Sequence, residues 1–60
     1  MFSSMKDLLA KINGCVVDAE GYRDEEDDDA QAAETIAAAA AYAKALLAEI
    51  EAAREKLAAK

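Results

Sequence analysis

The sequence predicts an all-α fold: a short N-terminal amphipathic helix, an acidic loop and a long alanine-rich C-terminal helix. Three observations carry that expectation. Fifteen of the residues from Ala30 to Lys60 are alanine, with no glycine or proline among them, and alanine is the best helix former. Met5, Leu8, Leu9 and Ile12 follow the i, i+3, i+4, i+7 spacing of one buried helical face. Between these segments lie six consecutive carboxylates, Asp24 to Asp29, a poor start for a strand and a good one for a helix. The expected organisation is one small module over residues 1–60, with a helix at 5–13, a linker at 14–28 and a second helix at 29–59. It forms either a helical hairpin or an extended helix, completed by a partner chain.

The first helix is bounded by local signals. Ser4 suits the N-cap and Asp7, three residues on, supplies a short version of the capping box. Lys11 falls in the expected last turn, and Gly14 offers the left-handed residue that ends many helices. A competing reading makes Asn13-Gly14 a hairpin turn between LLAKI and CVVDA. A helix of about nine residues does not persist alone in water, so this one must pack on something.

Cys15, Val16 and Val17 form a β-prone patch, read as a short extended piece or the apolar start of a loop, with a turn around Gly21. From about Asp28 one long helix follows, with Asp28 and Gln31 matching a capping-box pattern. Its larger side chains, Ile36, Leu46, Leu47, Ile50 and Leu57, fall within an arc of roughly 140°. Read as heptads, Ile36, Ala43, Ile50 and Leu57 take position a, and Ala39, Leu46 and Ala53 take position d. A nine-residue helix covers about a third of a helix of ~31 residues. The remaining stripe is expected to be an association surface.

Composition narrows the function classes. The net charge is −6, and residues 18–29 alone carry eight acids against Arg23. Direct nucleic-acid binding is not expected, because phosphate contacts need clustered Lys and Arg. With no histidine and one cysteine, the chain lacks the commonest zinc ligand, the commonest general base and any internal disulfide. No cofactor, metal or catalytic residue is expected. The longest uncharged run in the alanine-rich segment, Thr35 to Ala43, falls far short of the ~20 apolar residues a membrane span needs. No membrane partner is expected, and the lone thiol suits a soluble, cytoplasmic protein.

Two functions fit. The first is a non-enzymatic interaction or assembly module, binding its own copies or a larger complex through Met5, Leu8, Leu9, Ile12, Ile36, Ala39, Ala43, Leu46, Leu47, Ile50 and Leu57. The second is an acidic decoy that presents Asp24, Glu25, Glu26, Asp27, Asp28 and Asp29 to a basic surface. The carboxylate run has no calcium-loop spacing, since no glycine lies within it.

The order MKDLLAKI, CVVDAEGY, DDAQAAETIAAAAAYAKALLAEI resembles the first half of a roadblock/LC7 domain. That resemblance implies a helix, a strand over Cys15–Val17, a turn at Gly21 and a long helix. Roadblock/LC7 domains are dimeric scaffolds that regulate small GTPases and motors. The segment YRDEEDDD stands where that fold has its second strand.

Overall fold

A computed structural model describes residues 2–59 as two antiparallel helices, α1 (Phe2–Asp24) and α2 (Asp29–Ala58), joined by residues 25–28. No strand occurs among the described residues. The hairpin measures 50 × 15 × 11 Å, the length expected of ~30 helical residues at 1.5 Å each.

The all-α class is as expected, but α1 is longer than its local signals suggest. It runs through Gly14 and Gly21, and Cys15–Val17 is helical, so the strand implied by the roadblock/LC7 resemblance is not formed. The helix at 5–13 becomes 2–24, and the linker at 14–28 shrinks to four residues. Neither glycine has positive φ, so neither acts as a left-handed cap.

The physical reason is the seam. Met5, Leu8, Ile12, Cys15, Ala19 and Tyr22, alternately three and four apart, are the half-buried or buried positions that α1 repeats along its length. A mid-helix glycine costs about 1 kcal/mol. Stopping at Gly14 would instead leave Cys15, Ala19 and Tyr22 without α2 as a packing surface, at ~0.8 kcal/mol for each methylene exposed.

On α2 the matching row is Ala32, Thr35, Ala39, Tyr42, Leu46, Glu49 and Ala53. Only Ala19, Ala39 and Ala53, at 5%, 7% and 7% exposure, are buried among the described residues. The core is therefore thin, built from small residues that let the backbones approach closely.

The turn is tied by main-chain bonds. The Glu25 N–H donates to the Gly21 carbonyl at 2.9 Å, and the Asp28 N–H reaches back to the Tyr22 carbonyl at 2.7 Å. Between them Asp27 adopts φ 52°, a left-handed conformation that aspartate tolerates better than most residues. Asp28 then caps α2, its Oδ1 accepting from the Gln31 N–H at 3.0 Å. This is the capping bond expected from the sequence, and Asp29 adds a carboxylate in the first turn. Ser4 and Asp7 do not start α1 as expected. Ser4 lies inside the helix and its hydroxyl is used across the hairpin.

Candidate functional site

The two flanks of the seam differ in chemistry. On one flank the Ser4 hydroxyl donates to Glu49 Oε1 at 2.6 Å. One turn-pair along, the Lys11 ammonium lies 5.4 Å from the centroid of the Tyr42 ring, within cation–π range. The second Glu49 oxygen, Oε2, is buried without a hydrogen-bond partner among the described residues. A polar residue in a seam favours one register over its neighbours, and the Ser4–Glu49 bond does so here at a cost in desolvation.

The other flank is apolar. Phe2, Leu9 and Val16 recur every seven residues on α1, and Ile36, Ala43, Ile50 and Leu57 recur every seven on α2. The two rows border the same grooves. Phe2, Leu9 and Ile50 line one at the open end of the hairpin. Val16 and Ile36 line another nearer the turn. Of the eight large apolar side chains that are exposed among the described residues, six belong to these rows, at 38% to 54% exposure. The other two, Val17 and Leu47, are exposed at 68% and 55%. So the apolar surface is gathered on one side of the hairpin, not scattered.

This arrangement corrects the heptad assignment. Ala39, Leu46 and Ala53 sit in the seam as expected. Ile36, Ala43, Ile50 and Leu57 do not; they lie one position round, on the flank, and Thr35, Tyr42 and Glu49 take the seam instead. Met5, Leu8 and Ile12 face α2, whereas Leu9, expected with them, is 51% exposed. An apolar arc of ~140° is wider than one neighbouring helix can cover, so a strip of it stays uncovered. The surplus arises from width, not from the short first helix that the sequence suggested: α1 has 23 residues against 30 in α2.

The six carboxylates Asp24–Asp29 are all exposed and cluster at the turn. Two have local work. Asp24 is paired with Arg23, whose Nε and Nη2 donate to Asp24 Oδ1 and Oδ2 at 2.8 and 3.2 Å. That hydrogen bond, and then the guanidinium charge, hold the Asp24 carboxyl below the usual carboxylate range; the same bond and the Asp24 charge push Arg23 up. Asp28 is the helix cap. Among the described residues no group of three or more His, Cys, Asp or Glu side chains is gathered as for a metal ion. Cys15 is a free, half-buried thiol in the seam. No described helix is long and apolar enough to cross a membrane.

Comparison with protein-family models, with curated proteins and with solved structures returns no match. Sequence periodicity alone could have found the longer α1, because the alternating three- and four-residue spacing continues from Ile12 through Cys15, Ala19 and Tyr22. The polar flank carries no such signal. Ser4 and Glu49 are 45 residues apart, and only the fold brings them together.

Proposed function

We propose that this chain is a non-enzymatic protein-interaction or assembly module that docks through its apolar flank. One observation carries the reading: among the described residues, six of the eight exposed large apolar side chains share one side of the hairpin, while the opposite flank is closed by polar pairings. A face of that kind loses free energy to water unless it is covered, at about 25 cal/mol per Å² of apolar area. The free thiol of Cys15 suits a reducing, intracellular compartment.

A photo-crosslinking residue placed at Val16 tests this, with one at Asp18 as the control on α1 away from the apolar row. The expected result is protein adducts, to its own copies or to another protein, from position 16 and few from position 18. Equal yields at both positions, or none, would sink the docking reading.

The acidic decoy remains as a second reading because the carboxylate run sits at the tip of the hairpin. Glu25, Glu26, Asp27 and Asp29 are exposed there, free of the pairing and capping bonds that engage Asp24 and Asp28. Replacing these four with Asn or Gln should abolish salt-sensitive binding to a basic partner. Undiminished binding rules the decoy out.

A further inference from the structure

We infer that the apolar flank is covered by a second copy of this chain, laid antiparallel to the first so that two hairpins form a four-helix bundle. The inference rests on the docking reading and names its occupant. Three features of the molecule point to a second copy.

The first is area. A compact globule of 6.3 kDa exposes roughly 3,700 Å² by the usual surface-to-mass scaling. The hairpin exposes 4598 Å², about 900 Å² more. A standard stable interface buries about 800 Å² on each partner. The surplus therefore matches one side of such an interface.

The second feature is the spacing. Phe2, Leu9 and Val16 on α1, and Ile36, Ala43 and Ile50 on α2, repeat every seven residues from the open end up to the last heptad before the turn, where Arg23 and Asp29 take the corresponding positions. A surface made of two parallel heptad rows is self-complementary in kind. Turned over by a two-fold axis, it meets another pair of rows with the same period, as helix bundles require.

The third is charge, and it sets the orientation. The turn-proximal half of the hairpin carries Asp18, Glu20, Glu34 and the run Asp24–Asp29 against Arg23 alone, a net of −8. Among the described residues of the open half, Lys6, Lys11, Lys44, Arg54 and Lys56 face Asp7, Glu49, Glu51 and Glu55, a net of +1. A parallel pair would set two ends of −8 side by side. An antiparallel pair sets each acidic end against the other copy's mildly basic end, and like-charge juxtaposition disfavours the alternative. The grooves repeat this locally. Glu20 and Asp29 outnumber Arg23 around the groove that holds Val16 and Ile36, leaving it net negative, while Lys6 borders the groove that holds Phe2, Leu9 and Ile50. The two-fold operation lays one groove over the other and brings Lys6 of each chain towards Glu20 and Asp29 of its partner.

Sedimentation equilibrium and a spin-label distance test the inference together. The parent chain at about 100 µM should sediment at twice the mass of the 6.3 kDa monomer. Leu9→Gln with Ile50→Gln should raise the dimer dissociation constant on the order of a hundredfold. Both side chains are about half exposed in the hairpin, so the variant monomer should keep its helical circular dichroism. For orientation, a nitroxide on Glu26→Cys, in a Cys15→Ala background, marks the turn. Since the hairpin is 50 Å long, antiparallel copies place the two labels near opposite ends, on the order of 45 Å apart.

Labels within about 20 Å of each other, the width of two neighbouring helices, would mean a parallel pair and overturn the inference. So would a monomer at every concentration up to millimolar. The docking reading survives a monomer if Val16 still crosslinks selectively to a different protein, and falls with it if Val16 crosslinks to nothing.

Discussion

Replacing Gly14 and Gly21 with alanine is the sharpest test of how this hairpin is built, because the sign of the effect depends on the backbone. Both glycines lie inside α1 with negative φ, and a Cβ added at either meets nothing beyond its own turn of helix within 4 Å. Alanine should therefore fit without strain. In a helix interior each exchange removes about 0.8–1.0 kcal/mol of unfavourable propensity, partly by narrowing the unfolded ensemble. The two sites are seven residues apart on one helix, with no contact between their side chains to couple them, so the double variant should gain about 2 kcal/mol. For a domain of this size that raises Tm by roughly 8–16 °C. Thermal unfolding followed by far-ultraviolet circular dichroism, at one fixed chain concentration, measures it. If Gly14 instead ended a short helix in the left-handed region, alanine there would be strained, and Gly14→Ala would lower Tm. A fall in Tm for Gly14→Ala would refute the continuous helix.

Three further outcomes follow from the same geometry. Asp28→Ala removes the Oδ1 acceptor for the Gln31 N–H and should cost about 1 kcal/mol, visible as a lower urea midpoint with unchanged slope. Ala39→Leu forces three extra carbons into a buried seam position and should destabilise by about 1–3 kcal/mol. Ala40→Leu, one position round on an exposed site, should fall within about 0.5 kcal/mol of the parent in the same urea titration. The Asp24 carboxyl is held below its ordinary range by Arg23. Its contribution is therefore present above the unfolded-state value and disappears as pH falls through the folded one. Asp24→Asn should accordingly reduce Tm slightly at neutral pH and match the parent in strong acid; the pair is fully exposed, so the change should also shrink in high salt.

Much of the hairpin was legible residue by residue. Alanine content without helix breakers specified α2, and Asp28 with Gln31 placed its start to within a residue. Met5, Leu8 and Ile12 were legible as seam from spacing alone, as were Ala39, Leu46 and Ala53. The misreadings share one cause. Gly14, Gly21 and the Cys15–Val17 patch carry local preferences worth about 1 kcal/mol each, and those preferences argue against helix. What outweighs them is burial against α2 on the far side of the turn, and the three- and four-residue spacing of Cys15, Ala19 and Tyr22 is its only trace in the sequence.

The sequence by itself determined that the chain is helical, where its acidic turn lies and which side chains are apolar, because each follows from propensity, capping and period within a few turns. Only the tertiary structure decided which edge of the apolar arc is covered. Thr35, Tyr42 and Glu49 enter the seam beside Ser4 and Lys11, and Ile36 and Ile50 are left on the flank with Leu9 and Val16. The rows on either side of Ala39, Leu46 and Ala53 differ by a rotation of about 100° about one helix axis. The choice between them is made by long-range partners, not by anything adjacent in the chain.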